Sequence, residues 1–343
     1  MNIADFTTFG VGGPAGTLVE ASSVTELVDA VRSADAAKVP VFVLSGGSNV
    51  LVGDAGFDGT VVHVTGGTPG PGWVWAGVTL DDLVVWAIEH GLSGLEALSG
   101  IPGLVGAAPV QNVGAYGAEI AQVVQAVRAW DRLVGEQITL SAPECGFAYR
   151  DSLFKRSRRP GDATGRYVVL EVLFDLPESP LSAPIAYAEL AKALGVEMGD
   201  RAPLRDVRQA VLALRRSKGM VFDPDDPDTH GAGSFFTNPI LTAADAERLP
   251  LSAPRYPQPD GRVKTSAAWL IENAGFTKGY GDGPARLSSK HVLALTNRGG
   301  ATANDVLSLA HQIQDVVHVR FGVTLTPEPT LVGVEGEPTP TRS

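Results

Sequence analysis

Apolar residues recur at the spacing of an amphipathic helix in several parts of the chain, most clearly after residue 23. The segment Ser23-Val-Thr-Glu26 matches a capping box, and apolar side chains follow at positions 24, 27, 28 and 31. Further helices are predicted over residues 79–90, 204–218, 266–273 and 304–321. Three of these end at Gly91, Gly275 or Gly322, and glycine is common just after the last turn of a helix.

Short apolar runs between these helices predict strands. They cover residues 39–44, 50–52, 60–64, 73–78, 124–130, 138–140, 167–176, 291–297, 323–325 and 330–332. Short strands mixed with few helices indicate an α+β domain over roughly the first 200 residues. Proline-containing segments at 177–180 and 202–203 predict a boundary there, and the polar residues 334–343 are expected to form a disordered tail.

Composition limits the function classes that remain open. With 343 residues the chain has room for two or three domains, and a net charge of −11 argues against nucleic-acid binding. No apolar run approaches the ~20 residues of a membrane span, and no secretory leader is recognisable, so a cytoplasmic location is expected. Cys145 is the single cysteine and is expected in the core. The six histidines show no close metal-ligand pair, and no metal is predicted.

Residues 99–117 are unusual because they hold five glycines, two prolines and no charge. Such a segment does not form a long helix, yet it is too apolar for a solvated linker. It is best explained as buried irregular backbone, whose N–H and C=O groups need partners. A large flat cofactor lying against that backbone would supply them.

A second glycine loop, Ser45-Gly-Gly-Ser-Asn49, follows a predicted buried strand. In a Rossmann fold the glycine loop opens a helix, whereas the residues that follow here look extended. One alternative is an ordinary hairpin turn. Together with residues 99–117, we favour two loops that converge on one pyrophosphate, because backbone N–H groups in such turns bind anions without a helix.

Three polar residues are candidates for chemistry by their context. Arg150 follows two aromatic residues, Ser234 stands between a glycine and two phenylalanines, and Glu328 lies between two prolines. Each also has a structural alternative: an ion-pair partner, a turn cap or a surface charge. Ser234 lacks the Gly-x-Ser-x-Gly pattern of a nucleophile, which favours a proton-donating hydroxyl over a nucleophilic one.

Two basic runs offer sites for an anionic small molecule. They are Arg215-Arg-Ser-Lys218 and Lys155-Arg-Ser-Arg-Arg159. For the second run the main expectation is a solvated surface.

Several ordered motifs resemble the UDP-N-acetylenolpyruvoylglucosamine reductases over nearly the whole chain. They are Thr8-Phe-Gly-Val-Gly-Gly-Pro14, Ser45-Gly-Gly-Ser-Asn-Val-Leu51, the segment 100–117, Tyr149-Arg-Asp-Ser-Leu-Phe-Lys155, Gly231-Ala-Gly-Ser-Phe-Phe-Thr-Asn-Pro239, Ala268-Trp-Leu-Ile271 and Leu325-Thr-Pro-Glu-Pro329.

The resemblance implies a two-subdomain FAD-binding fold of the vanillyl-alcohol-oxidase type, followed by an α+β substrate domain. The expected limits are residues 1–65 and 66–201 for the two FAD subdomains and 202–333 for the substrate domain. FAD is expected to bind noncovalently and to take a hydride from NADPH. The reduced flavin then reduces UDP-N-acetylglucosamine-enolpyruvate to UDP-N-acetylmuramate, a peptidoglycan precursor. A monomer is expected.

The same resemblance implies roles for individual residues. Ser234 is expected to protonate the substrate carbon, while Arg150 and Glu328 stabilise the enolate-like intermediate. The expected cofactor contacts are Ser45, Gly46, Gly47, Ser48, Asn49, Val50, Ser99, Gly100, Gly103, Gly106, Ala107, Pro109, Gln111, Asn112, Gly114, Ala115, Tyr116 and Gly117. The expected substrate contacts are Tyr187 on an extra loop, Arg215, Lys218, Asn238, Lys264 and Lys278.

Two departures from the family pattern bear on these roles. The stretch Arg286-Leu-Ser-Ser-Lys-His291 differs, and Ser45 replaces a more usual glycine, which is tolerated if its φ is negative. Two other functions remain as alternatives. A flavin oxidase of the same fold often tethers its flavin through histidine or cysteine, and no histidine lies in either glycine loop. A non-catalytic nucleotide-sugar binding protein would lack one of Arg150, Ser234 and Glu328.

Overall fold

The computed structural model describes residues 1–158 and 162–334, and residues 335–343 of the predicted tail lie outside this part. The helices are α1 Val24–Ala36, α2 Leu80–Glu89, α3 Leu153–Arg156, α4 Ala188–Leu194, α5 Leu204–Ser217, α6 Ala243–Glu247, α7 Ala267–Ala274 and α8 Ala303–Phe321. The strands are β1 Ala15–Ala21, β2 Val41–Leu44, β3 Val50–Val52, β4 Phe57–Val64, β5 Trp73–Trp75, β6 Gly114–Ala115, β7 Ala118–Glu119, β8 Val124–Asp131, β9 Glu136–Ser141, β10 Tyr167–Phe174, β11 Ile240–Leu241, β12 Tyr256–Pro257, β13 Val263–Lys264, β14 Ala285–Leu287, β15 Leu295–Asn297 and β16 Thr330–Val332.

The first layer is a parallel sheet in the order β1-β4-β2 with α1 packed on it. Helix α1 begins after Ser23, whose hydroxyl oxygen accepts a hydrogen bond from the N–H of Glu26. Leu27 and Val31 on the inner face of the helix are fully buried. The predicted amphipathic spacing therefore directs this helix onto the sheet.

The second layer is an antiparallel sheet in the order β5-β10-β8-β9. Trp130 of β8 and Leu170 of β10 belong to the same buried cluster as Leu27 of α1. Because the two sheets share this apolar cluster, they hold a fixed relation to each other. On the far side of the second sheet, α2 and residues 95–129 form a separate core.

The C-terminal part is built around α7 and α8, and its core also takes in residues from the start of the chain. Phe9 and Leu51 are buried in the same cluster as the two helices. Strand β16 pairs in parallel with β3, with Leu331 opposite Leu51. In addition, a carboxylate oxygen of Asp54 accepts the N–H of Ala303 at 2.7 Å, at the first turn of α8. These contacts hold α8 and β16 beside the glycine loop that precedes β3.

The predicted helices are all present, but several predicted strands differ from the structure. Residues 291–294 form a turn closed by the N–H of Ala294 on the carbonyl of His291, so that strand begins only at Leu295. Residues 323–325 form no strand, and the predicted strand 73–78 ends at Trp75 in a turn. The short helices α3, α4 and α6 and the strands β1, β6, β7 and β11–β14 were not predicted. The α+β class is confirmed, and Cys145 is buried as expected.

Candidate active site

A cavity of about 1900 Å³ runs between the two sheets and the C-terminal part. Typical ligand pockets measure about 300–1,000 Å³, so this one has room for a large cofactor and a second molecule. Both glycine loops and residues from 149–169, 186–189, 215–222, 229–238 and 324–331 form much of its wall.

The two glycine loops touch each other in this wall. A Cβ added to Gly46 would lie 2.9 Å from the Cα of Gly103, and the hydroxyl of Ser48 donates to the carbonyl of Pro102 at 3.0 Å. Gly47 has φ +59°, and a Cβ there would lie 1.9 Å from the carbonyl oxygen of Phe6. Backbone without side chains therefore forms this end of the cavity, as the interpretation of two converging loops requires.

Most of the predicted cofactor residues line the cavity. They are Ser45, Gly46, Gly47, Ser48, Asn49, Val50, Gly103, Gly106, Ala107, Gln111, Gly114, Ala115, Tyr116 and Gly117. Ser45 is not among the residues with positive φ, so a side chain is accommodated where the family usually has glycine. Its hydroxyl is buried and has no hydrogen-bond partner among the described residues. A wall of this kind fits a flat dinucleotide such as FAD.

Four other predicted cofactor residues lie behind the wall and not in it: Ser99, Gly100, Pro109 and Asn112. The hydroxyl of Ser99 donates to the carbonyl of Glu96, and the N–H of Gly100 donates to Asp81. The side chain of Asn112 donates to Glu119 and to the carbonyl of Ala148. These contacts support the loop from behind, and contact of the four residues with the cofactor stays a prediction.

Arg150 lies in a tight turn at the cavity wall. The turn is closed by reciprocal backbone hydrogen bonds between Ala148 and Asp151, and Arg150 itself has φ +53°. Its guanidinium donates to the carbonyl of Gly114 at 2.6 Å, and its Nε lies 3.1 Å from Oε1 of Glu328. The left-handed conformation is strained for a residue other than glycine. Such strained residues are often found at functional sites.

Asn112 and Tyr116 share this conformation, with φ +47° and +49°. They lie in the glycine-rich segment that borders Arg150. Three of the four such non-glycine residues in the described part of the chain are therefore gathered around one corner of the cavity.

Glu328 is brought to Arg150 by pairing between distant segments. Its N–H donates to the carbonyl of Phe235 at 2.8 Å, and the N–H of Thr237 donates to Thr326. The side-chain amide of Gln111 donates to Oε1 of Glu328 at 3.3 Å. Burial raises the pKa of Glu328, and the positive charges of Arg150 and Lys155 oppose that rise only in part.

Ser234 precedes two fully buried phenylalanines, Phe235 and Phe236, which anchor its segment in the C-terminal core. The residue before it, Gly233, has φ +66° and makes a turn that leads the chain toward these two phenylalanines. Because Phe235 is bonded to Glu328, Ser234 stands next to the Arg150–Glu328 pair along the cavity wall. Within the described residues its hydroxyl makes no hydrogen bond, so it is free to serve a ligand.

Aromatic and basic side chains gather around Tyr116 in the cavity wall. Tyr187, at the start of α4, packs edge-on against Tyr116 with ring centroids 5.5 Å apart. The ammonium of Lys218 lies 5.6 Å from the ring centre of Tyr116 and forms an ion pair with Glu189 of α4. A cationic group beside an aromatic ring suits a phosphorylated nucleotide.

The remaining predicted substrate residues are placed differently from one another. Lys264 and Asn238 both line the cavity. The ammonium of Lys264 lies 4.7 Å from the ring centre of Tyr149. Oδ1 of Asn238 accepts a hydrogen bond from the N–H of Ala267 at the start of α7. Arg215 also lines it, but is buried and donates to the carbonyls of Gly100 and Met220. Lys278 does not line the cavity.

Sequence reasoning missed several residues that line the cavity: Tyr149, Lys155, Glu189, Tyr256 and His291. Tyr149 and Lys155 stand in a motif quoted above, and that position was the signal that could have found them. The expectation of a solvated surface does not hold for Lys155, because this residue is only partly exposed and its ammonium donates to the carbonyl of Arg150. Burial, assisted by Lys218 and Lys278, lowers the pKa of His291 to about 4.

Comparison with known proteins agrees with this architecture. Residues 225–332 match the model of the UDP-N-acetylenolpyruvoylglucosamine reductase C-terminal domain, and residues 15–141 match that of an FAD binding domain. The chain is 53% identical to the UDP-N-acetylenolpyruvoylglucosamine reductase of Thermobifida fusca (strain YX), covering 97% of each protein. The chain belongs to the UDP-N-acetylenolpyruvoylglucosamine reductase family.

Other members of this family support the assignment. The reductase of Streptomyces coelicolor is 52% identical over 97% of this chain and 89% of its own length. The crystal structure of the reductase from Thermus caldophilus superposes with a TM-score of 0.68 at 29% identity, covering 97% of both chains. The expected order of an FAD-binding region followed by the reductase C-terminal domain is confirmed, and FAD is the cofactor. Among the described residues, no helix combines the length and apolarity needed to cross a membrane.

Proposed function

We propose that the cavity carries the reaction of this family, the NADPH-dependent reduction of UDP-N-acetylglucosamine-enolpyruvate to UDP-N-acetylmuramate. The observation that carries this proposal is the grouping of the Arg150–Glu328 pair and the free Ser234 hydroxyl in one wall of a cavity whose glycine loops fit a dinucleotide. When bound, FAD supplies the hydride chemistry, accepting from NADPH and delivering to the vinyl carbon.

Backbone of the two glycine loops would hold the cofactor. Gly46, Gly47 and Gly103 present main chain without side chains, which allows close approach of a pyrophosphate. The Ser48–Pro102 hydrogen bond keeps the two loops together. The hydroxyl of Ser45 lacks a partner among the described residues and is available for the cofactor or a water molecule.

Ser234 is the proton donor in this proposal. Hydride addition to the vinyl carbon leaves negative charge on the neighbouring carbon, which a hydroxyl can protonate without being a nucleophile. The position of Ser234 beside Glu328, and the absence of a competing hydrogen bond in the described residues, support this role.

Arg150 and Glu328 stabilise the charge that develops on the substrate carboxylate. A fixed donor of this kind contributes roughly 2.7–4 kcal/mol to the transition state. Glu328 can donate only in its protonated form, and burial favours that form by raising its pKa. Arg150 keeps its orientation because its guanidinium is held by the carbonyl of Gly114.

The part of the cavity around Tyr116 would bind the nucleotide part of the substrate. Lys218 offers a charge to the diphosphate, and Tyr187, 43% exposed, is placed to cover it. Lys264 and Asn238 face the same space, and Arg215 supports the wall through its carbonyl contacts. Lys278 would act at longer range, through its charge near His291.

We also propose an oligomeric state, a location, the absence of a partner class and the domain limits. The protein acts as a monomer in the cytoplasm, without nucleic-acid partners. The domain limits are residues 1–65, 66–201 and 202–333. The separate sheets β1-β4-β2 and β5-β10-β8-β9 support the first of these limits.

Anaerobic stopped-flow absorbance near 450 nm tests the roles of the residues. NADPH should bleach the flavin of the wild type, and the enolpyruvyl substrate should restore its colour. Ser234→Ala should leave bleaching nearly unchanged and slow recolouring at least 100-fold. Ser308→Ala, on the exposed face of α8, is the matched control. Equal loss in both half-reactions would contradict a proton-donor role, and reoxidation by oxygen alone would favour an oxidase.

A further inference from the structure

Lys155 is a partly buried lysine that the reaction described above does not use. It lies in the short helix α3, which begins after Ser152, and its side chain turns back toward the preceding turn. Its ammonium donates to the carbonyl oxygen of Arg150 at 3.1 Å. Burying a cationic group is costly, so such a contact indicates a specific need at this position.

The carbonyl oxygen that accepts the hydrogen bond from Lys155 belongs to Arg150, whose backbone is strained. With φ +53°, Arg150 occupies a conformation that a non-glycine residue keeps only when its surroundings enforce it. Asn112 holds the turn from one side through the carbonyl of Ala148, and Lys155 holds it from the other. The direction of the guanidinium depends on this backbone conformation.

We propose that Lys155 is a positioning residue, which fixes the backbone of Arg150 so that the guanidinium meets Glu328. This inference rests on the proposed function of Arg150 and Glu328. Ser152 supports it, because its hydroxyl accepts the N–H of Lys155 and donates to the carbonyl of Val110. Lys155, Arg150 and the glycine-rich segment are thereby joined in one hydrogen-bonded unit.

The charge of Lys155 gives this role a second, measurable consequence. Lys155 and Arg150 are the cations that lower the pKa of Glu328 against the effect of burial, and the Tyr149 hydroxyl also faces this carboxyl. Lys155 itself faces Glu328, Asp151, Arg150 and Arg158. Removing its charge raises the pKa of Glu328 further. Since the protonated form is the active one, the loss of activity at alkaline pH moves to higher pH.

The test is the pH dependence of both half-reactions in FAD-loaded Lys155→Met. Reduction by NADPH should stay within about 2-fold of the wild type, because Arg150 takes no part in it. Reoxidation by the enolpyruvyl substrate should slow about 10- to 100-fold, the range expected from a misplaced catalytic group. In the pH–rate profile of reoxidation, the fall on the alkaline side should move to higher pH. Lys192→Met, on the exposed face of α4, is the control for loss of a lysine.

Lys155→Arg separates positioning from a general structural role. It keeps the charge and a donor, so reoxidation should recover in part with its alkaline limb at the wild-type pH. If Lys155→Met does not retain FAD, this variant decides the question alone. An unchanged reoxidation rate in Lys155→Met, or equal loss of both half-reactions that Lys155→Arg does not restore, would overturn the proposal. If wild-type flavin is not reoxidised by the substrate at all, the proposed function itself fails.

Discussion

His291 offers a test of how strongly the cavity controls protonation. Burial is the main cause that lowers its pKa from 6.5 to about 4; Lys218 and Lys278 add to this, while Glu189 acts in the opposite direction. Below pH 6.5 the unfolded chain binds a proton that the folded chain does not. Stability therefore falls as the pH drops toward 4 and then levels off. Between pH 7 and pH 5 this linkage amounts to about 2 kcal/mol.

The substitution His291→Gln removes this linkage while keeping a polar side chain of similar length. We expect the wild type to lose about 2 kcal/mol more than the variant between pH 7 and pH 5. Urea unfolding at a fixed FAD concentration measures the difference, because bound cofactor contributes to stability. His311→Gln, at an exposed position on α8, is the matched control. Parallel pH profiles of wild type and His291→Gln would refute the claim that burial keeps this imidazole neutral.

Three further predictions concern the cofactor loop, the catalytic carboxyl and the domain contact. Gly47→Ala should raise the dissociation constant of FAD at least 10-fold, because the new Cβ would lie 1.9 Å from the carbonyl oxygen of Phe6. Fluorescence titration measures this constant. Gly195→Ala, at a position with similar φ and open space, should not change it. Glu328→Gln should abolish the alkaline fall of substrate-driven reoxidation, since an amide donates at every pH; a retained fall in the pH–rate profile would assign it to another group. Asp54→Ala should lower the free energy of unfolding by about 1 kcal/mol in urea titration, since it removes an acceptor at the start of α8; an unchanged value would show that water replaces it.

Helices were predicted well because their signals are local. Ser23, Thr302 and the glycines that end α7 and α8 act through hydrogen bonds within one turn of the helix. Strands were predicted less well. The run 323–325 is apolar because it fills the C-terminal core, not because it pairs, and β1 was missed because its exposed and buried residues do not alternate. A segment forms a strand only when another segment pairs with it, and that partner cannot be read from the segment's own residues.

The candidate site was found largely through motifs, and the structure changed what those motifs mean. Asn112 and Gly100 belong to the glycine-rich segment but support it from behind. Lys155 looked like part of a solvated basic run, yet its side chain turns inward to a backbone carbonyl. Burial depends on residues far away in sequence, so no local pattern distinguishes these cases.

By itself, the sequence determined the five longest helices, the presence of two backbone-rich loops, and the residue types from which the site is built. The motifs also determined the family. Only the tertiary structure decided that Glu328 meets Arg150, because that contact follows from pairing of residues 235–237 with 326–328 and of β16 with β3. It also decided which titratable groups are buried, and burial favours their neutral form, protonated for Glu328 and deprotonated for His291. Hydrogen bonding within a turn is local, whereas burial and electrostatics sum over segments that only folding brings together.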